Sequence, residues 1–154
     1  MKNRISRRSF LAAAAASAAA LAVTGCDAKK SKKAVTDITV WNYYNGDQLE
    51  SFNRLVSTFN ETIGKAKGIR VTGSSQGTVN DLIANVMDAA VGKVGAPEMP
   101  TIFAAYADTA YKLDQMGMVV DLKDYLTEDE KAAFVPGYIT EGDFDGSGSI
   151  KIFP

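Results

Sequence analysis

Three short β-rich runs, with helical periodicity between them, constrain the fold of this chain more than any other feature. The runs cover residues 38–41, 69–72 and 101–104. The stretches between them carry apolar side chains at helical spacing: Phe52, Leu55, Val56, Phe59 and Ile63, then Val79, Leu82, Ile83, Val86, Met87 and Ala90. This alternation predicts right-handed crossovers and a mainly parallel sheet flanked by helices, which is an α/β fold.

Capping residues predict where helices begin, and turn residues predict where they end. Asp108 is placed to cap a helix over residues 109–115, and Gly64 and Gly68 predict the end of the first helix. Two pairs have the spacing of a capping box, namely Asp47 with Glu50 and Thr127 with Glu130. The remaining predicted elements are a loop over 73–77, a short helix over 121–126 and a final strand over 149–153.

The loops that follow the three predicted strands are polar and aromatic. They cover residues 42–47, 74–77 and 105–108. Ligands of open parallel sheets bind outside the carboxyl ends of the strands. The sequence therefore predicts a binding site for a small hydroxylated molecule at this edge.

Charge and residue usage exclude several classes of function. Eight of the 17 basic residues lie in the first 33 positions, while 17 of the 18 acidic residues follow them, so residues 34–154 carry about −8. That charge argues against a nucleic-acid surface. The absence of histidine excludes histidine-based metal sites and Ser-His or Cys-His catalysis. A single cysteine allows no disulfide within the chain.

The N-terminus reads as an export signal with an anchor. A basic start precedes an apolar stretch over 10–23, which is too short and too rich in alanine to span a membrane stably. Val23-Thr24-Gly25-Cys26 resembles a bacterial lipobox, in which the cysteine is diacylated. Residues 6–11 resemble the twin-arginine export motif, although the general secretory route stays open. We expect a signal peptide over 1–25, a lipidated Cys26 with a flexible tether over 26–36, and a domain over 37–154.

The chain resembles the N-terminal part of family-1 extracellular solute-binding proteins of ABC importers. The resemblance rests on the order of several short motifs: the lipobox, the 38–41 strand, Phe59-Asn60, and the passages 96–103, 116–122 and 148–154. It implies the N-terminal lobe of a periplasmic-binding-protein-like (type II) fold. The likeness runs from Arg7 to the last residue, and the sequence stops where such chains cross to a second lobe, so we expect an incomplete lobe.

The resemblance also implies a function and a set of site residues. It implies a lipid-anchored, monomeric component on the outer face of the bacterial membrane that captures a sugar-like solute, without a cofactor or enzymatic activity, for permease subunits. Carried over by motif position, the ligand-binding residues are Tyr43, Tyr44, Asn45, Ser75, Gln76, Tyr106 and Asp108. Tyrosine faces would stack on the ligand, and the polar side chains would bond its hydroxyl groups. A cell-surface sensor or adhesion module is an alternative function, and a secreted enzyme is a weaker one.

Each of these residues also has a structural interpretation. Asn45-Gly46 is typical of a turn, and Asp108 is typical of a helix cap. Tyr43 and Tyr44 would face opposite sides of a continuing strand. Trp41 is expected in the core. Residues 143–150 imitate the start of an EF-hand loop, but the twelfth position is Pro154 instead of glutamate, so we predict a turn and leave calcium binding open.

Overall fold

A three-stranded parallel sheet forms the centre of residues 34–154, the part of the chain that the computed structural model describes. Strand β1 spans Thr36–Asn42, β2 spans Ile69–Ser75 and β3 spans Ile102–Phe103. The order is β2-β1-β3, and both pairings are parallel. The predicted α/β fold with a parallel sheet is confirmed. The predicted export signal and lipidated Cys26 lie outside the described residues.

Helices follow each strand, as the alternating pattern predicts. The first helix, α1, spans Gly46–Phe59 and continues through a π-helical turn at Asn60–Gly64 into α2, Lys65–Lys67. Gly68, with a φ of +72°, ends this element in the left-handed conformation that glycine favours. The later helices are α3 (Val79–Ala90), α4 (Ala107–Gln115), α5 (Glu128–Ala133) and α6 (Pro136–Ile139).

The two faces of the sheet pack against different helices. Trp41 of β1 is 8% exposed and packs in a core cluster with Leu82 and Val86 of α3 and Leu113 of α4. Trp41 is therefore a core residue, as the sequence predicts. The preceding register pair, Val40 with Gly73, faces the opposite side, because adjacent residues of a strand alternate. There α1 lies so close that a Cβ on Gly73 would sit 2.5 Å from Phe52 Cε1.

The outer edge of β2 is closed by one side chain. Asn60 Nδ2 donates to the Val71 carbonyl at 2.8 Å, and Asn60 Oδ1 accepts from the Val71 N–H at 2.8 Å. Asn60 is the first residue of the π-helical turn. The amide thus bonds the same pair of main-chain groups that a further strand would bond.

Two of the predicted caps are wrong, and one is confirmed. Thr127 and Glu130 form the predicted capping box at α5. The helix assigned to Asp47 begins earlier, at Gly46, with Asn45 in the N-cap position and no side-chain cap bond. Likewise α4 begins at Ala107, so Asp108 lies in its first turn instead of capping it. In both cases the helix begins one residue before the aspartate, so the carboxylate does not occupy the N-cap position. Gly64 lies inside the π-helical turn and does not end the helix.

Three predicted elements after β1 also differ from the structure. Strand β2 runs to Ser75, so residues 73–75 are strand and not loop. Residues 121–126 form turns, because Asp121 Oδ1 accepts the N–H groups of Lys123 and Ile150, both at 2.9 Å, and this bonding competes with a helix. Residues 149–153 form no strand. The main-chain bond from Leu122 N to the Ile150 carbonyl, 2.9 Å, is a single contact and not a ladder.

Loop 143–149 is held by its own carboxylates. Asp143 accepts from the N–H groups of Gly148 and Ser149 at 3.1 and 3.3 Å, and Asp145 accepts from the Ser147 N–H at 3.1 Å. Among residues 34–154, no three His, Cys, Asp or Glu side chains are grouped to hold a metal ion. No helix in this same range is long and apolar enough to cross a membrane.

Candidate functional site

The ends of β1 and β2 are joined by hydrogen bonds, which bring their loops to one edge of the sheet. Asn42 is in register with Ser75, and the Gln76 N–H donates to the Asn42 carbonyl at 2.7 Å. Ser75 Oγ donates to the Tyr44 carbonyl at 2.8 Å. On the other side of β1, the Ala104 N–H donates to the Trp41 carbonyl at 3.0 Å. The three predicted loops therefore leave the sheet at the same edge.

Asn45 ties two of these loops together. Its Nδ2 donates to the Tyr43 carbonyl at 2.9 Å and to the Gly77 carbonyl at 3.0 Å. Both bonds use the side-chain nitrogen. The side-chain oxygen of Asn45, Oδ1, has no hydrogen-bond partner within residues 34–154. In this arrangement Asn45 fixes loop geometry and keeps one acceptor for another group.

Tyr43 and Tyr106 line one cavity of about 460 Å³. Tyr43 comes from the loop after β1, and Tyr106 from the loop after β3. The cavity is lined by β3 and the residues beside it, 101–106, together with residues 118–120, Leu122 and residues 151–153. The lining is mainly aliphatic and aromatic, with Phe103 and Phe153 beside the two tyrosines. Such a lining suits the apolar face of a neutral small molecule.

Tyr44 lines a different surface from Tyr43, although the two rings are neighbours, with their centroids 5.6 Å apart. Its ring meets Phe52 edge-on, with the ring centroids 5.5 Å apart, and it lines a shallow groove along α1. The groove also carries Asp47 and Gln48. Two neighbouring tyrosines thus line two different surfaces, and both lie beyond Asn42, where β1 ends.

The other three predicted residues are engaged locally. Gln76 Nε2 donates to Ser74 Oγ at 3.0 Å, and its Oε1 accepts from Asn85 Nδ2 at 3.0 Å. Ser75 is half-buried and holds the Tyr44 carbonyl. Asp108 is exposed, and its Oδ1 accepts from the Thr109 N–H at 2.8 Å. The structure brings Tyr43 and Tyr106 to one cavity. The lining of that cavity does not include the other five predicted residues: Tyr44, Asn45, Ser75, Gln76 and Asp108.

Lys151 is the charged residue in the cavity wall, and its charge is balanced. Its Nζ lies 2.9 Å from Asp114 Oδ1, with the two side chains 21% and 19% exposed. The hydrogen bond to Asp114 raises the pKa of Lys151 above its ordinary value. The paired ammonium remains charged at neutral pH, so the cavity presents little net charge to a ligand.

The sequence does not predict that residues 118–120 and 151–153 line this cavity. The alternating pattern of residues 149–153 predicts a strand and carries no signal of a cavity. Phe153 is instead held edge-on against Phe134, with the ring centroids 5.1 Å apart. Contacts between segments that are distant in the sequence bring these residues into the same cavity lining as β3.

Solved structures with a similar fold are binding proteins. A cyclic α-maltosyl-1,6-maltose binding protein from Arthrobacter globiformis matches with a TM-score of 0.60 and 20% identity over 73% of this chain and 27% of that chain. A family 1 extracellular solute-binding protein from Bifidobacterium longum subsp. infantis matches with a TM-score of 0.57 and 17% identity over 79% of this chain and 28% of that chain.

A third protein, solved with mannotriose bound, matches with a TM-score of 0.56 and 15% identity over 75% of this chain and 27% of that chain. No protein-family model and no curated protein sequence matches the chain. The chain spans little more than a quarter of the length of these structures. At such identities the likeness establishes the fold, which is that of a partial lobe of extracellular solute-binding proteins.

Proposed function

We propose that residues 37–154 belong to a solute-binding lobe that captures a carbohydrate at the carboxyl edge of its sheet. The observation that carries this proposal is the convergence of Tyr43 and Tyr106, from loops after two different strands, on one cavity. Aromatic faces stack on the C–H faces of sugar rings, while polar side chains bond the hydroxyl groups. The site residues remain the seven named above.

The balanced charge of the cavity favours a neutral sugar. Lys151 is paired with Asp114 at 2.9 Å, so neither a uronate nor an amino sugar would find a free counter-charge there. The solved neighbours agree in class, since one binds a cyclic maltosyl-maltose and another was solved with mannotriose. These observations support a binding role over an enzymatic one.

The wider context of the proposal is transport. We place the lobe on one side of a two-lobed cleft that closes on the solute and delivers it to ABC permease subunits. We place it outside the cell, as a monomer held to the membrane by lipidated Cys26. For export, we favour the twin-arginine route over the general secretory route.

A binding experiment tests the site. Isothermal titration of the full chain against neutral oligosaccharides built from glucose, mannose and xylose should identify a ligand. Tyr43→Ala and Tyr106→Ala should each weaken its binding about tenfold, equivalent to about 1.4 kcal/mol. The matched control is Tyr125→Ala, because Tyr125 is 76% exposed and lies outside the cavity lining. A flat response across the panel, or equal losses in all three variants, would refute the proposed site.

Fractionation of expressing cells tests the anchor. Cys26→Ser should release the exported chain from the membrane fraction and abolish metabolic labelling by a palmitate analogue, whereas Ser31→Ala should leave both unchanged. Replacing Arg7 and Arg8 together with lysine should block export by the twin-arginine route. Undisturbed export of that double variant would show that the general secretory route is used.

A further inference from the structure

Asn42 carries a buried polar group that the proposed site does not use. It is 1% exposed at the end of β1, and its Nδ2 has no hydrogen-bond partner anywhere in residues 34–154. A buried donor without an acceptor destabilises a fold, and an apolar side chain of similar shape would avoid that penalty. The amide is therefore not explained by stability.

The other end of the same amide acts on the neighbouring loop. Asn42 Oδ1 accepts from the Tyr44 N–H at 3.0 Å, which is the two-residue bond of an Asx turn. Ser75 Oγ holds the carbonyl of the same residue at 2.8 Å. Both main-chain groups of Tyr44 are thus fixed by side chains at the point where β1 ends.

This turn joins Tyr43 and Tyr44, which together form the aromatic edge of the site. Tyr43 packs against the Trp41 cluster and lines the cavity, while Tyr44 meets Phe52. The two tyrosine rings lie 5.6 Å apart at an interplanar angle of 55°. Because the Tyr44 N–H belongs to the peptide that links the two residues, the bond to Asn42 sets the direction in which Tyr43 enters the cavity.

We propose that Asn42 is a positioning residue for the aromatic edge of the site, acting through its side-chain oxygen on the Tyr43–Tyr44 peptide. The inference rests on the proposed sugar-binding function for its significance, and on the Asx turn for its mechanism. The predicted readouts are the environment of the tyrosine rings and the affinity for the sugar.

The matched variants Asn42→Ser and Asn42→Ala test this role in the full chain. Both remove the unpartnered amide nitrogen and leave a small side chain, but only serine keeps an oxygen that can accept from the residue two positions on. We expect a lower urea midpoint for the alanine variant, because it leaves the Tyr44 N–H without its acceptor. The serine variant should keep the wild-type near-ultraviolet circular dichroism and an affinity within about threefold of wild type, whereas alanine should change the spectrum and weaken binding about tenfold.

Two outcomes would overturn the inference. The first is identical near-ultraviolet spectra for the serine and alanine variants, and the second is a difference between them in urea midpoint alone. If neither small variant folds, Asn42→Asp and Asn42→Leu provide the same comparison, since aspartate keeps the acceptor and leucine lacks it. The spectral comparison needs no ligand, so failure of the wild-type chain to bind any saccharide would refute the proposed function and not the positioning role.

Discussion

Replacing Asn60 with alanine would remove the group that closes the outer edge of β2. The wild-type amide makes two hydrogen bonds of 2.8 Å, one to the N–H and one to the carbonyl of Val71, and both are part-buried. Alanine can make neither bond, and it leaves both main-chain groups to water. The variant therefore measures how much the bonding of Asn60 to Val71, at the outer edge of β2, contributes to the free energy of unfolding.

The magnitude follows from the two bonds. A hydrogen bond within a protein contributes about 0.5–1.5 kcal/mol net, so the pair contributes about 1–3 kcal/mol. Alanine is the better helix former, which offsets up to about 0.7 kcal/mol. We expect a net loss of about 1–2 kcal/mol in the free energy of unfolding, or roughly 4 °C in Tm for each kcal/mol in a domain of this size.

Urea denaturation followed by far-ultraviolet circular dichroism would measure this loss. The urea midpoint should fall while the slope with urea stays constant, because a change in stability alone moves the midpoint. Asn60→Asp should lose at least as much, since a carboxylate can accept from the Val71 N–H but cannot donate to its carbonyl. Asn53→Ala is the control, because Asn53 is exposed on α1 and makes no side-chain hydrogen bond within residues 34–154. Equal midpoints for Asn60→Ala and Asn53→Ala would refute the edge-closing role.

Two further predictions concern packing and pH. Gly73→Ala should destabilise the fold by about 1–3 kcal/mol in the same urea assay, because its Cβ would lie 2.5 Å from Phe52 Cε1, whereas Gly137→Ala, with nothing within 4 Å, should be neutral. The Ile150 N–H holds the pKa of Asp121 below its ordinary value. The stability that this carboxylate contributes is present above its unfolded pKa of about 3.9 and is lost as the pH falls through the lower folded value. Urea midpoints measured down through this range should fall more steeply for the wild type than for Asp121→Asn, and parallel curves would contradict the assignment.

The elements that the sequence predicts correctly are those whose pattern is set by burial. The β1 and β2 runs and the stripe of Leu82 and Val86 place apolar groups where the sheet and its helix must meet, so periodicity alone locates them. The capping box at Thr127 is local in the same sense, because both partners lie within one helical turn. The sequence does not predict the bonding of Asn60 to β2, because its partner Val71 lies eleven residues along the chain.

The candidate site shows the same division between local and tertiary causes. Parallel pairing brings Tyr43 and Tyr106 to the same edge of the sheet, so this feature follows from the sequence. The place of residues 151–153 in the cavity lining does not follow from the sequence. Lys151 lies there because Asp114 and Asp121 hold the 149–153 segment, through contacts between residues 37 and 29 positions apart.

The position of Trp41 makes the chain its own folding reporter. It is the single tryptophan in the sequence, and its partners Leu82, Val86 and Leu113 come from helices far along the chain. Pairing of β1 with β2 does not bury this indole, because the covering side chains belong to α3 and α4. A blue shift of the intrinsic fluorescence would therefore time the arrival of those helices, separately from the formation of the first β-α-β unit.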